Sequence, residues 1–345
     1  MTGARLGVVV IGRNEGDRLR RCFDALPRGG LSVVYVDSGS VDDSVEQALR
    51  RGLEVVELDG AAAFTAGRAR NAGFTRLLEI DPGLRFVQFI DGDCELVDGW
   101  LEAGASALES EPQIAAICGR VRERNREQTI YNLLCDLEWA APAGETRQCG
   151  GNAMMRTAAF REAGGFRPGL IAGEEPELCL RLRRHGWRIF RIDRDMVFHD
   201  ADMTRFGQWW RRALRAGWAY AERATLHGAT PERHAVRENC SIFLWGAALP
   251  AAALGLAPLS GGLSLMLLLG YPLLAARIHR RSVRGGTSAQ DAFLQAVFTV
   301  LAKFPQALGQ LEFVVLRLLG RGRRVVDWRA PRTARRSQAR VREPT

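Results

Sequence analysis

The sequence predicts an α/β fold built on a sheet that starts parallel, followed by an apolar helical part. Three observations predict it. Short runs rich in Val, Ile and Phe recur in the first quarter of the chain, amphipathic stretches separate them, and 36 residues from Ser241 to Ala276 carry no charge. The runs Leu6–Ile11, Leu31–Val36, Leu53–Leu58 and Phe86–Ile90 read as strands buried on both faces. Between them, Asp17–Leu26 places Leu19, Phe23 and Leu26 on one side, Val41–Arg51 places Val45 and Leu49, and Ala66–Leu78 follows the same pattern. Strands alternating with helices make βαβ units, and ligands of such sheets gather at the carboxyl ends of the strands.

Downstream the pattern is mixed. Tyr131–Trp139 reads as a helix, Gln148–Arg156 as a strand, Thr157–Ala163 as a short helix, Pro176–His185 as a helix and Trp187–Ile192 as a strand. The uncharged run that follows is interrupted by Pro250, Gly261-Gly262 and Pro272. One membrane span needs about 20 apolar residues for a ~30 Å hydrocarbon core, so the run fits two tight spans or a shallow re-entrant hairpin. Arg233, His234 and Arg237 precede it, and Arg277, Arg280, Arg281 and Arg284 follow it. Basic residues on both flanks put both ends on the cytoplasmic side. The competing reading is a buried hairpin of a soluble domain. Ala292–Leu319 is apolar but punctuated by Lys303, Glu312 and Arg317, which suits a helix lying in the membrane interface and broken near Pro305. The expected units are therefore an α/β domain over 1–235, a transmembrane or re-entrant hairpin over 236–285, interfacial helices over 286–320 and an Arg-rich, disordered tail over 321–345.

The formal net charge is +9, but residues 321–345 hold nine Arg against Asp327 and Glu343. The body is nearly neutral, so the basicity describes a tail drawn to anionic lipid and not a nucleic-acid-binding face. Seven scattered Cys without a Cys-x-x-Cys pair read as reduced thiols of a cytosolic compartment. Leu6–Ile11, followed at once by Arg13-Asn14-Glu15, is too short for a signal peptide.

Three strand ends are polar: Gly12-Arg13-Asn14-Glu15, Asp37-Ser38-Gly39-Ser40 and Asp91-Gly92-Asp93. An acid at a strand end commonly caps the next helix, and Ser40 or Asp42 suits that task. Asp91 and Asp93 offer more. Two carboxylates one residue apart, where a buried strand gives way to a turn, can face one site and hold Mg²⁺ or Mn²⁺ against a diphosphate.

These residues resemble the family 2 glycosyltransferases of GT-A fold, from Val8 to about His199. Val8 to Glu15 is similar to the opening strand and turn, although Gly12-Arg13 stand where Pro-Thr/Cys-Tyr is commoner. Val36-Asp37-Ser38-Gly39-Ser40-Val41-Asp42 is similar to the second motif, Ala69-Arg70-Asn71-Ala72-Gly73 to the helix-borne Ala-Arg-Asn-x-Gly, and Asp91-Gly92-Asp93 to the metal motif. The resemblance implies a Rossmann-like mixed sheet with membrane-associated C-terminal helices. It implies that Arg13, Glu15, Asp37, Ser38, Arg70, Asp91, Gly92, Asp93, Gly151 and Asn152 bind a nucleotide-sugar, and that Asp93, Asp91 and His199 hold the metal.

Gly173-Glu174-Glu175-Pro176-Glu177-Leu178, followed by Arg181, resembles the family's Glu-Asp-x-Asp-Leu-x-x-Arg, whose second acid is the general base. Glu175 stands where Asp is usual, which leaves Glu174 and Glu175 both as candidates. Pro176 suits a first helical turn, where acids also favour the dipole. Trp139, Gln208, Trp209 and Arg211 are candidates for the acceptor side. Gln208-Trp209-Trp210-Arg211-Arg212 is similar to the Gln-x-x-Arg-Trp motif of processive synthases, but Arg212 replaces its Trp, so processivity does not follow.

The implied enzyme is a metal-dependent inverting glycosyltransferase at the cytoplasmic membrane, its catalytic domain facing the cytoplasm. It moves a sugar from a nucleotide-diphosphate donor to a hydroxyl acceptor that is lipid- or polysaccharide-linked. A sugar-phosphate nucleotidyltransferase would need a Gly-rich triphosphate loop after the first strand, and a nicotinamide dehydrogenase Gly-x-Gly-x-x-Gly; Val10–Glu15 has one Gly. An inactive membrane scaffold of the same fold is the non-enzymatic alternative.

Overall fold

A computed structural model describes residues 5–27 and 29–321. The expected tail thus lies almost wholly outside the described residues. The first four strands are β1 (Leu6–Gly12), β2 (Ser32–Asp37), β3 (Glu54–Glu57) and β4 (Phe86–Asp91), joined by helices α1 (Asp17–Asp24), α2 (Ser44–Arg50) and α3 (Ala66–Ile80). All four pair in parallel, Val9 standing beside Val34 on one side and Phe89 on the other. Val8, Val9, Val10, Val34, Val36, Phe89 and Ile90 are fully buried, as strands covered on both faces must be. Helix α3 starts where the Thr65 hydroxyl accepts the Arg68 N–H at 3.2 Å. It then lies flat on the sheet: a Cβ at Gly73 would stand 2.4 Å from a Val9 methyl, so glycine alone allows that approach.

The chain continues through β5 (Cys94–Leu96), α4 (Trp100–Ser110), β6 (Ile114–Glu123), α5 (Ile130–Trp139), β7 (Gly144–Glu145), β8 (Ala153–Arg156), α6 (Thr157–Glu162), α7 (Glu174–Arg184) and β9 (Arg188–His199). The sheet order is β3-β2-β1-β4-β8-β6-β9-β5, with β7 on β9, and β8 is antiparallel to both β4 and β6. The sheet is therefore mixed. Two expected strands change length. Only Ala153–Arg156 of the stretch 148–156 is a strand, because Gly150 (φ 84°) turns the chain before it. The strand expected over 187–192 runs on to His199, its polar residues tolerated because β9 has bulged pairing with β6.

Helix α8 (Phe206–His227) leads into α9 (Val236–Phe243), a π turn (Leu244–Ala248), α10 (Leu249–Gly255), a 3₁₀ segment (Leu263–Leu269), α11 (Gly270–Arg284) and α12 (Ala289–Leu318). Residues 236–284 double back as a hairpin, its limbs tied where the Tyr271 hydroxyl donates to the Trp245 carbonyl at 2.6 Å. Leu254, Leu259, Leu263, Met266 and Leu273 are all exposed on it. Helix α12 is continuous through Pro305, where a break was expected. A proline removes one intrahelical hydrogen bond, and here packing outweighs that loss: Pro305 is buried, and α12 closes on α8 so tightly that a Cβ on Gly309 would stand 2.0 Å from the Leu214 carbonyl oxygen. A Cβ on Gly217 would stand as close to Gln306 O. Among the described residues, α12 is the one helix long and apolar enough to cross a membrane by length and composition. The seven cysteines are free, as expected, and all but Cys240 are buried.

Candidate active site

The carboxyl ends of β1, β2 and β4, the start of α3 and the start of α7 surround a cleft of about 540 Å³. Of the residues singled out from sequence, Arg13, Glu15, Ser38, Arg70, Asp91, Gly92, Asp93, Gly151, Glu174 and Glu175 line it. Arg13 and Glu175, 162 positions apart in the chain, thus share one space: the β1–β4 pairing sets the end of β1 beside Asp91, and Arg70 of α3 ties Asp91 to Glu174 at the start of α7.

Arg70 is the hub. Its guanidinium is 2% exposed and donates at 2.7 Å both to Asp91 Oδ1 and to Glu174 Oε1. Burial works against its charge, but the two carboxylates prevail and hold it more firmly protonated than a free Arg. Gly151 is required here: a Cβ would stand 2.5 Å from Arg70 Nη2 and 3.1 Å from Asp91 Oδ2. Asn152 lies behind the lining, its Oδ1 accepting the Asp91 N–H at 2.9 Å and so fixing the turn.

Asp93 is 6% exposed and stands beside His199. The β5–β9 pairing sets Cys94 opposite His199, which brings His199 Nε2 to 3.4 Å from Asp93 Oδ2. The other imidazole nitrogen, Nδ1, lies 3.1 Å from Glu123 Oε2. A buried carboxylate behind an imidazole is the usual way a ligand His is oriented. Asp93, Cys94 and His199 offer ligand atoms within 4.8 Å of one another. The hard carboxylate oxygen suits Mg²⁺ or Mn²⁺, and the imidazole beside it favours Mn²⁺ of the two. Asp91 stands outside this group, its Oδ1 facing Arg70.

Gly173, at φ 78°, precedes α7, so Glu174 and Glu175 open the helix and Pro176 follows within the first turn. The two acids differ in their partners. Glu174 is paired with Arg70, whereas Glu175, 6% exposed, accepts the Cys149 N–H at 2.6 Å and the Cys179 thiol at 2.9 Å, both on Oε1.

Asp37 does not face the cleft. Its Oδ1 accepts the Tyr35 hydroxyl and its Oδ2 accepts the N–H groups of Gly39 and Ser40, so it builds the loop that presents Ser38. Arg13 lies over the Phe64 ring at 5.2 Å, and its buried Nε has no hydrogen-bond partner among the described residues. Glu15 pairs with Arg18 at 3.0 Å.

The expected acceptor residues divide. Trp139 is half-buried with its ring edge-on to His199 at 4.5 Å. Trp209 is buried in a small cluster with Cys135 and Met203, and Gln208 Oε1 accepts the N–H groups of Thr204 and Arg205 to cap α8. Arg211 lies outside the cleft lining. Arg212 and Arg215 face the cleft instead. The reading of the sequence missed Arg215, Phe64, Glu123 and the two thiols around Glu175. The spacing of Arg212 and Arg215, one turn apart on a helix, was the available signal.

Comparison with known proteins agrees with this architecture. Residues 86–279 match the profile described as Glycosyl transferase family group 2, and residues 7–164 match Glycosyl transferase family 2. The chain is 28% identical over 236 residues to the pre-mycofactocin glycosyltransferases of two Mycobacterium tuberculosis strains, covering 64% of this chain and 47% of theirs. It thus spans about half the length of those relatives. Its fold is similar to that of the mannosyltransferase PcManGT from Pyrobaculum calidifontis, with a TM-score of 0.56, 21% identity and coverage of 87% of this chain and 88% of that one. The mixed sheet with its acids at the strand ends is the GT-A fold, and the chain belongs to family group 2 of the glycosyltransferases.

Proposed function

We propose that this glycosyltransferase is metal-dependent and inverting, taking its sugar from a nucleoside diphosphate donor and delivering it to a hydroxyl acceptor linked to lipid or polysaccharide. The observation that carries the reading is the convergence of Asp91, Asp93, Glu174 and Glu175 with Arg13 and Arg70 on one cleft. Asp93 and His199 would hold Mg²⁺ or Mn²⁺, which neutralises the departing diphosphate when bound. Arg13, held over Phe64 at the cleft wall, brings its positive charge to the nucleotide phosphates. Arg70 positions Asp91 against the donor sugar and holds Glu174 in place.

Glu175 is the better base of the two acids. Glu174 is committed to its ion pair with Arg70, whereas Glu175 receives hydrogen bonds from the Cys149 N–H and the Cys179 thiol. Its carboxylate removes the acceptor hydroxyl proton as that oxygen bonds to the anomeric carbon and the bond to the diphosphate oxygen breaks. The single displacement inverts the anomeric centre and needs no covalent enzyme intermediate.

The hairpin suits the cytoplasmic membrane face. Its uncharged limbs, 241–255 and 263–276, are about 22 Å and 25 Å long, at 1.5 Å per α-helical and 2.0 Å per 3₁₀ residue. Both fall short of a ~30 Å hydrocarbon core, which favours entry without crossing. Arg277, Arg280, Arg281 and Arg284 sit at its foot, where cytoplasmic headgroups would meet them. Helix α12, held along α8 and carrying Lys303 at mid-length, lies in the interface.

Thermal-shift screening of UDP-, GDP- and dTDP-sugars, with and without Mn²⁺, tests the reading. A structure of similar fold holds GDP-Man and Mn²⁺, so that pair is tried first. One donor should raise the melting temperature in a metal-dependent way; no shift with any donor overturns the proposal.

A further inference from the structure

The cleft does not end at Glu175. It opens past Gly173, Pro176, Arg212 and Arg215 into a second chamber of about 960 Å³. Seven arginines face that chamber against four glutamates. Some of this charge is already paired: Arg147 and Arg183 share Glu232, and Arg212 reaches Glu138 at 2.6 Å. Arg237, by contrast, makes no ion pair among the described residues, and buried His234 Nε2 has no hydrogen-bond partner there. The chamber is net positive, and its walls come from α7, α8, α9 and the stretch 145–148.

A third space, of about 590 Å³, shares Glu138, Arg212, Tyr220, Arg237 and Glu238 with the second. It is lined by Leu134, Trp209, Ile242 and Phe298 as well as by Arg281 and Lys303, and it ends at Ser241, the first residue of the uncharged hairpin. Along this route the chemistry changes in order. Carboxylates that can accept a hydroxyl proton come first, arginines outnumbering glutamates second, apolar side chains interspersed with Arg281, Lys303, Glu138 and Glu238 third, and the apolar hairpin last.

We propose that the second and third spaces form the acceptor subsite, and that the acceptor is a membrane lipid whose sugar is joined to its hydrocarbon tail through a phosphate or diphosphate. The sugar hydroxyl reaches Glu175, the phosphates sit among Arg212, Arg215 and Arg237, and the tail leaves between Phe298 and Ile242 toward the bilayer. This rests on the glycosyl-transfer reading above and adds the acceptor's class to it. A neutral glycan would leave the excess positive charge uncompensated, and a soluble anion would leave Leu134, Trp209, Ile242 and Phe298 of the third space without an apolar occupant.

The test is equilibrium dialysis of radiolabelled dodecyl diphosphate against the full chain in phosphatidylcholine nanodiscs. Labelled dodecanol and inorganic pyrophosphate are run in parallel, and empty nanodiscs set the background. Dodecyl diphosphate should be retained well above background and above both controls. Arg237→Gln should weaken it about tenfold, the usual worth of one charge-assisted contact, whereas Arg281→Gln, in the third space and away from the phosphates, should weaken it less than about twofold. Both residues are at the protein surface, and unchanged far-ultraviolet dichroism and melting of the variants establish that they fold. Equal retention of dodecanol, equal binding of pyrophosphate, or undiminished binding by the Arg237 variant each overturns the proposal. Donor thermal shifts on the wild type separate the two readings: if donors bind and dodecyl diphosphate does not, the acceptor assignment alone fails.

Discussion

Glu175→Gln separates chemistry from structure at this site. Both hydrogen bonds that the side chain receives, from the Cys149 N–H at 2.6 Å and the Cys179 thiol at 2.9 Å, converge on Oε1. An amide can place its oxygen there and accept both, leaving its NH₂ where Oε2 stands. No charged partner is lost, so stability should change by less than about 1 kcal/mol, the scale of one neutral hydrogen bond. What the amide cannot do is take a proton. General-base catalysis is worth about 10²- to 10⁴-fold, which corresponds to about 2.7–5.4 kcal/mol of barrier. The expected result is a kcat lower by that factor, with donor affinity unchanged in calorimetry. Glu174→Gln provides the contrast. It breaks the ion pair with Arg70, so its loss should appear in stability and donor affinity before it appears in the chemical step. Transfer by the Glu175 variant at the wild-type rate, or a purely kinetic defect in the Glu174 variant, would refute the assignment.

Asp93→Ala should leave donor-induced stabilisation in Mn²⁺ no greater than without metal, read as a thermal shift. Arg70→Met strands two carboxylates around a buried apolar side chain, and urea unfolding should register a loss of about 3–5 kcal/mol. Gly309→Leu forces α12 off α8, since even a Cβ would lie 2.0 Å from Leu214 O; limited proteolysis should cut the loop before α12 faster, with a lower melting temperature. His234 is held down from 6.5 to about 4, by burial first and then by the charge of Arg223. A histidine depressed in the fold takes its proton more readily when unfolded, so stability should fall as the pH drops from about 6.5 to about 4. His234→Gln should flatten that part of the pH–stability curve.

The parallel half of the sheet was readable because strands buried on both faces leave continuous apolar runs such as Val8–Ile11 and Phe86–Ile90. β9 was read short, because Arg191, Asp193, Arg194 and Asp195 interrupt its apolar residues where bulges let polar groups reach outward. β6 was missed for a related reason, its Arg and Glu residues following a buried half. At the site, short motifs named the residues that line the cleft, but spacing along the chain says nothing about partners. That Asp37 is taken up by its own loop, that Glu174 faces Arg70 and that Glu175 faces thiols are consequences of packing between elements far apart in sequence. Spacing could not show either that Trp209 is buried in a small cluster between helices, with only part of its surface on the wall of the third space.

The backbone contacts of Gly217 with Gln306 and of Gly309 with Leu214 have a mechanical consequence. Two helices touching main chain to main chain at two points cannot slide or roll against each other without a clash, so they behave as a riveted joint. If α12 rests on the bilayer, the altitude of the catalytic cleft above the lipid is set by that joint and not by a flexible tether. Substrate length would then be measured from the membrane surface, with two glycines as the ruler's zero mark.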